Sequence, residues 1–146
     1  MTKVSGDWVT RARTQAVLRC LSEAGRRALF VGGCVRNALL GVPVTDLDIA
    51  TDAPPDRVIE LAEAAGLKAV PTGIAHGTVT VVVAHHPFEI TTFRRDVESD
   101  GRRAVVAFSD DITEDARRRD FTMNALYAAP DGTVWRRKTS AGYVPP

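Results

Sequence analysis

The sequence predicts a small α/β domain, with a mixed and largely antiparallel sheet flanked by helices on one side. Two observations indicate this class. An apolar strand at residues 28–31 runs into a Gly-Gly turn that opens a helix, and another strand follows near residues 46–51. Residues 68–93 are then rich in β-branched side chains with short polar links, which is typical of antiparallel strands. With 146 residues, the chain has the length of a single domain.

The N-terminal segment, residues 1–27, is predicted to be a helix that packs on the rest of the domain. Between residues 8 and 24, apolar side chains recur at helical spacing along one side: Val9, Ala12, Ala16, Leu18 and Leu21. No residue with an obvious catalytic role lies in this segment, so the pattern indicates a structural helix.

The next feature is the pair Gly32 and Gly33, which joins the first strand to a helix predicted over residues 34–40 and ended by Gly41. Glycines lack Cβ atoms, so the backbone can approach a ligand closely. The amide groups and dipole at the start of a helix favour an anion, and Arg36 would add a positive charge there. The alternative is a tight structural turn with a surface arginine.

Asp46 and Asp48 lie on the predicted second strand. Because side chains alternate along a strand, both carboxylates share one face, while Leu47 and Ile49 point into the core. Two adjacent carboxylates are costly unless a cation neutralises them, and hard oxygen ligands suit Mg²⁺. The alternative is that the two carboxylates are a solvated pair at the start of a strand. The neighbouring Gly-Gly turn, which favours an anion, makes this alternative less favoured.

A second helix is predicted over residues 55–65, with Asp52 as its cap and Gly66 after its end. A short strand at 68–70 follows.

A hairpin is predicted next, with strands at 78–84 and 88–93 joined by residues 85–87. Glu89 is the only acid inside the second strand of this hairpin, so it either faces solvent or completes a metal site with the two aspartates. Residues 94–110 carry alternating charges without periodicity, which predicts a mobile loop over the active site.

The composition is that of an ordinary globular protein, with 45% apolar and 25% charged residues. A net charge of +1 argues against binding nucleic acid through bulk charge alone, although the arginines are clustered. No apolar run of about 18 residues and no signal peptide occur, so we expect a cytoplasmic protein without a membrane partner. Cys20 and Cys34 lack metal-site spacing and are predicted to be buried thiols.

Taken together, these motifs resemble the N-terminal catalytic domain of bacterial class II tRNA nucleotidyltransferases (CCA-adding enzymes) and the related bacterial poly(A) polymerases. Both are polymerase-β-like nucleotidyltransferases. The matching stretches are residues 30–41, 45–51, 89–94, 100–103 and 114–126. They follow in family order, which predicts a catalytic domain over residues 28–134. The tail, residues 135–146, has no pattern of this family.

The resemblance implies template-independent nucleotidyl transfer from CTP and ATP to the 3′ end of tRNA, with two Mg²⁺ ions. The implied catalytic and metal-binding residues are Asp46, Asp48 and Glu89. The implied nucleotide-binding residues are Gly32, Gly33, Arg36, Arg118, Arg119, Asp120 and Asn124. The segment that begins at His76 matches a family segment beside the active site, where the resemblance implies a supporting structural role. An ordinary loop histidine before a strand is an equal alternative.

Several alternatives stay open on the sequence. The chain lacks the downstream neck motif that reads the incoming base, so it is expected to be a catalytic head that needs other parts, which a second chain could supply. A poly(A) polymerase head, a small nucleotidyltransferase with another acceptor, and a non-catalytic NTP-binding module are the competing functions. A dinucleotide-binding domain is disfavoured because no complete Gly-x-Gly-x-x-Gly motif is present.

Overall fold

The computed structural model describes residues 2–97, 105–118, 126–137 and 143–144. Within these ranges the helices are α1 (Asp7–Thr10), α2 (Ala12–Ser22), α3 (Gly33–Leu40), α4 (Pro55–Ala64) and α5 (Ile112–Arg117). The strands are β1 (Leu29–Val31), β2 (Asp48–Thr51), β3 (Lys68–Gly73), β4 (Thr78–Val83), β5 (His86–Thr92), β6 (Arg94–Val97), β7 (Val105–Phe108), β8 (Tyr127–Ala128), β9 (Arg136–Arg137) and β10 (Tyr143–Val144). No helix in the described ranges is long and apolar enough to cross a membrane.

The main sheet contains six strands in the order β3-β4-β5-β2-β1-β8. Strands β2 and β5 run parallel, whereas the other neighbouring pairs of this sheet are antiparallel. Two further strand pairs, β6 with β7 and β9 with β10, stand apart from it. The predicted class, a mixed and largely antiparallel sheet with helices, is therefore confirmed.

A helical layer made of α1, α2 and α4 covers one face of the main sheet. From the sheet, the buried side chains of Phe30, Ile49 and Ile90 enter one apolar cluster with Leu18 of α2 and Val58 of α4. Burial of these side chains is the main driving force that holds the layer on the sheet.

The N-terminal helix is interrupted, contrary to the single helix predicted over residues 8–24. Arg11 has φ −55° and ψ 140°, which is not helical, and it separates α1 from α2. Its amide donates to the carbonyl of Asp7 and its own carbonyl accepts from Gln15, so one residue closes α1 and opens α2. The bend allows Trp8 to pack edge-on against Phe30, with ring centroids 4.9 Å apart.

The opposite face of the sheet is divided into two parts. Towards β1 and β8, helix α5 covers it: Ile112 and Ala116 pack in a second buried cluster with Leu29, Val31 and Tyr127. The prediction that helices flank the sheet on one side only is therefore wrong for α5. Towards β2, β5 and β4, this face carries polar side chains instead.

The predicted hairpin is confirmed, but its turn lies elsewhere. Val83 pairs with His86, so the two-residue turn is Ala84-His85, rather than residues 85–87. Both turn residues have positive φ, 51° and 66°, as a type I′ hairpin turn requires. His86 and Pro87 belong to β5.

Three smaller predictions also need correction. Asp52 does not cap α4, because the N-cap residue of that helix is Pro54. The carboxylate of Asp52 instead accepts a hydrogen bond from the Arg27 amide at 2.9 Å. The region 94–110 is not simply a loop, because β6 and β7 pair there, with residues 98–104 outside the described part. Cys20 is half-buried rather than buried, while Cys34 is buried as predicted.

Candidate active site

Strand register places one predicted acid of β5 beside one of β2. Asp48 pairs with Glu89 across the parallel strands, and Glu89 pairs with Thr80 across the antiparallel hairpin. Residues in register on neighbouring strands lie about 4.8 Å apart and project to the same face. Asp46 lies before β2 begins, so the strand starts two residues later than the sequence predicts.

An open cleft of about 430 Å³ lies over this row of side chains. It is lined by Asp46, Leu47, Asp48, Thr80, Pro87 and Glu89. All three predicted acids therefore face one space, with Asp48 half-buried and the other two exposed.

Thr80 is a cleft residue that is not among the predicted site residues. Its hydroxyl lies 2.7 Å from that of Thr72, which continues the polar row onto β3. The signal for it is alternation: Thr78 and Thr80 are half-buried, whereas Val79 and Val81 between and after them are fully buried. Threonines at alternate positions of a half-buried strand mark its open face.

The glycine turn forms as predicted at the start of α3. Gly32 has φ 75° and ψ −125°, and its amide donates to the carbonyl of Leu126 at 2.9 Å. This positive φ strains any side-chain-bearing residue, which accounts for a glycine here. A Cβ at Gly33 would lie 3.4 Å from Nη2 of Arg36, so the guanidinium folds back over the first turn. A positive charge therefore sits at the positive end of the helix dipole.

Cys34, in the first turn of α3, lies near Asp48. Burial raises the pKa of its thiol to about 11, and the nearby charge of Asp48 acts in the same direction, while the Asp48 backbone amide opposes it. The thiol also makes a weak hydrogen bond to the carbonyl of Val31 at 3.5 Å. Cys34 therefore stays protonated at neutral pH, with its buried thiol near Asp48. The predicted phosphate-binding residues Gly32, Gly33 and Arg36 do not line the cleft itself.

Of the other predicted nucleotide-binding residues, the structure describes only Arg118. Arg118 is the half-buried C-cap residue of α5, on the helix that covers the other part of the same face, and it does not line the cleft. Arg119, Asp120 and Asn124 lie outside the described residues.

His76 ends a short 3₁₀ turn and is exposed. Its backbone carbonyl accepts a hydrogen bond from Nη1 of Arg94 at 3.0 Å. The contact holds the turn before β4 against the start of β6 and does not involve the imidazole. The supporting role that the resemblance implies for this segment stays a prediction.

The donor set of the cleft suits Mg²⁺, which takes oxygen ligands and commonly binds through one or two carboxylates with waters and substrate phosphates. Asp46, Asp48 and Glu89 supply carboxylates to one open cleft. In the described parts of the chain, no three His, Cys, Asp or Glu side chains come together as a ready-made metal centre. A site completed by substrate phosphates fits this arrangement; a closed, all-protein cage does not.

Comparison with known proteins agrees with this architecture. The family model of the Poly A polymerase head domain matches residues 28–136, which contain every predicted site residue. The chain belongs to this family. A CCA-adding enzyme of Lactobacillus delbrueckii subsp. bulgaricus is 48% identical over 130 residues, covering 86% of this chain and 32% of the relative.

Solved structures of CCA-adding and related tRNA nucleotidyltransferase enzymes are also similar to this chain. The Bacillus stearothermophilus CCA-adding enzyme in complex with CTP aligns with a TM-score of 0.71 and 40% identity, over 84% of this chain and 28% of that one. A tRNA nucleotidyltransferase complexed with a primer tRNA and an incoming ATP analog aligns with a TM-score of 0.61 and 29% identity, over 85% and 35%. This head-family chain thus spans about a third of the length of the curated relatives it matches.

Proposed function

We propose that this chain is the catalytic head for template-independent nucleotidyl transfer from CTP and ATP to the 3′ hydroxyl of tRNA. The observation that carries the proposal is the register of Asp48 with Glu89, which together with Asp46 line one open cleft. Further support comes from the relatives, which are CCA-adding enzymes, and from related structures with CTP or with primer tRNA and an ATP analog.

In this proposal the triphosphate lies against the first turn of α3. The glycine at position 32 removes a side chain from its path, and the amide groups of the turn donate to phosphate oxygens. The guanidinium of Arg36, folded over Gly33, offsets negative charge on the same phosphates. These contacts hold the nucleotide with its α-phosphate towards Asp48.

Asp46, Asp48 and Glu89 would hold Mg²⁺, which when bound lowers the pKa of the acceptor hydroxyl and offsets the charge on the phosphates. The 3′ hydroxyl releases its proton to water and its oxygen forms a bond to the α-phosphorus, while the bond from that phosphorus to the bridging oxygen of the β-phosphate breaks and pyrophosphate leaves. The chain contributes positioning and charge rather than a covalent intermediate, as is usual in phosphoryl transfer.

Selection of CTP before ATP and measurement of the acceptor stem are assigned to protein beyond this head, in the same protein or on a second chain. The support is the coverage: matched relatives carry about two thirds of their length outside the aligned part.

The test is Mg²⁺-dependent incorporation of labelled CTP and ATP into tRNA that lacks its 3′ CCA. We expect Asp48→Asn to lower the rate by about a thousandfold, since it removes a charged cleft ligand. Asp56→Asn is the matched control, because Asp56 is exposed in the first turn of α4 and does not line the cleft. Near wild-type transfer by folded Asp48→Ala or Asp48→Asn protein would refute the assignment.

The nucleotide preference in this assay separates the two transferase functions. Incorporation of CTP and ATP supports CCA addition, whereas long runs of ATP alone support a poly(A) polymerase head, the activity in the name of the matched family. Nucleotide binding without any transfer would point to a binding module that depends on a partner.

A further inference from the structure

A second, smaller pocket of about 90 Å³ adjoins the acid cleft. It shares three lining residues with the cleft: Asp46, Leu47 and Pro87. Its opposite wall is the N-terminus of α2, which contributes Arg11, Arg13 and Thr14, and β5 contributes His86. We refer to it as the Arg11–Arg13 pocket. The shared residues mean that a group bound in it would lie next to the reacting end of a substrate in the cleft.

The charges around the Arg11–Arg13 pocket favour an anion. Two arginines line it, whereas Asp46 is the only acid among the lining residues that the structure describes. Helix α2 has 11 residues, and no side chain caps its N-terminus, where Arg11 is the N-cap residue. The positive end of its dipole therefore opens beside the two guanidinium groups.

Thr14 provides an independent observation that a ligand is missing from this pocket. It lines the pocket, it is 0% exposed, and its buried hydroxyl has no hydrogen-bond partner among the described residues. A threonine inside a helix usually bonds back to a carbonyl of the preceding turn, which this hydroxyl does not do. Buried polar atoms in folded proteins have partners as a rule. This hydroxyl is closed to water as the side chains stand, so an acceptor in the pocket would satisfy it after displacing a neighbouring side chain.

We infer that the Arg11–Arg13 pocket binds a phosphate group of the nucleic-acid or nucleotide substrate. A phosphate offers only acceptor oxygens at neutral pH, which matches a wall of guanidinium, hydroxyl and helix-terminal amide donors. The pocket has a volume of about 90 Å³. One water occupies about 30 Å³ in the liquid, so the pocket has room for a group larger than a single water.

Two sources could supply this phosphate: the RNA backbone just upstream of the 3′ end, or the polyphosphate of the nucleotide. The inference adds a phosphate subsite, on the far side of Asp46, to the proposed function. The choice of ligand rests on that function. Its test therefore measures binding, which does not require turnover.

The experiment compares Arg11→Gln/Arg13→Gln with the matched double variant Arg19→Gln/Arg26→Gln, whose residues lie outside the pocket. Affinity is measured for a fluorescently labelled single-stranded oligoribonucleotide with a free 3′ hydroxyl, and separately for labelled CTP with Mg²⁺. We expect the pocket variant to bind one probe about tenfold more weakly, with a salt dependence reduced by about one phosphate contact. The matched variant should retain wild-type affinity.

Thr14→Val gives a readout that a purely structural role would not produce. Valine has nearly the shape of threonine but lacks the hydroxyl, so the thermal midpoint should stay equal or rise while binding of the same probe weakens several-fold. A lower midpoint with unchanged binding would instead mark the hydroxyl as structural and count against the subsite.

The two probes identify the source. Loss of RNA affinity with CTP affinity intact assigns the pocket to the RNA backbone, and the reverse result assigns it to the polyphosphate. Unchanged affinity for both probes, or a wild-type protein that binds neither, overturns the inference. Binding through this pocket without nucleotide transfer would contradict the proposed function and leave the subsite standing, so the two failures are distinguishable.

Discussion

Removing the hydroxyl of Tyr127 should destabilise the fold, because that hydroxyl serves a buried carboxylate. It donates to Oδ2 of Asp115 at 2.5 Å, while Oδ1 of the same carboxylate accepts from the Arg94 amide at 3.0 Å. Asp115 is 1% exposed and Tyr127 is 0% exposed. The contact therefore joins β8 to α5 and, through the carboxylate, to β6.

Tyr127→Phe keeps the ring and leaves the carboxylate short of one donor. Hydrogen bonds to charged groups contribute about 1.5–3 kcal/mol, so we expect a loss of about 2 kcal/mol in the free energy of unfolding. For a chain of this length, that loss lowers the thermal midpoint by about 6 °C. Urea unfolding followed by far-UV circular dichroism, with unchanged m-value, measures the free energy directly.

Thr14→Val is the matched contrast in this assay, since it also removes a buried hydroxyl, but one without a hydrogen-bond partner. It should leave stability unchanged or raise it. A Tyr127→Phe protein within about 0.5 kcal/mol of wild type, the range of ordinary surface substitutions, would show that the Asp115 contact contributes little. Equal losses in both variants would show that burial of the hydroxyl, rather than its partner, sets the effect.

Two further outcomes concern the turn and the thiol. Replacing Ala84-His85 by Asn-Gly should stabilise the protein by about 1–2 kcal/mol, because both positions have positive φ; a lower thermal midpoint would contradict the turn type. The pKa of Cys34 is raised to about 11 from 9.0. The folded state therefore holds the proton longer, and stability present below pH ~9 should fall by about 2–3 kcal/mol as pH rises through ~11. Urea unfolding at pH 8 and pH 11 measures this fall in the free energy of unfolding, which should be smaller in Cys34→Ala than in wild type. An equal fall in both proteins would contradict a raised pKa for Cys34.

Local patterns were sufficient for the elements that carry the chemistry. The strand–glycine–helix unit was predictable because Gly32 and Gly41 punctuate an apolar run, and both have positive φ in the structure. The hairpin was predictable from its β-branched residues, but its turn was not. Ala84 and His85 are poor residues for positive φ, so the usual Asn-Gly signal was missing at the true turn.

Long-range packing decided the elements for which the sequence was ambiguous. Apolar periodicity over residues 8–24 fits one helix or two. Of the predicted apolar side, Val9, Leu18 and Leu21 are buried, whereas Ala16 is half-buried and Ala12 is exposed. The contact of Trp8 with Phe30 belongs to the bent form that the structure adopts. Likewise, Ile112 and Ala116 mark an apolar side of α5, but nothing in the sequence indicates that it faces the sheet surface opposite α2.

The sequence by itself determined which residues could serve as acids and as an anion-binding turn, because residue type, alternation and glycine placement are local properties. It did not determine that Glu89 lies in register with Asp48, since pairing of distant parallel strands depends on the whole sheet. The Arg11–Arg13 pocket depends on tertiary structure in the same way. Only the folded chain brings the start of α2 beside Asp46, because burial of the helical layer fixes where that helix begins.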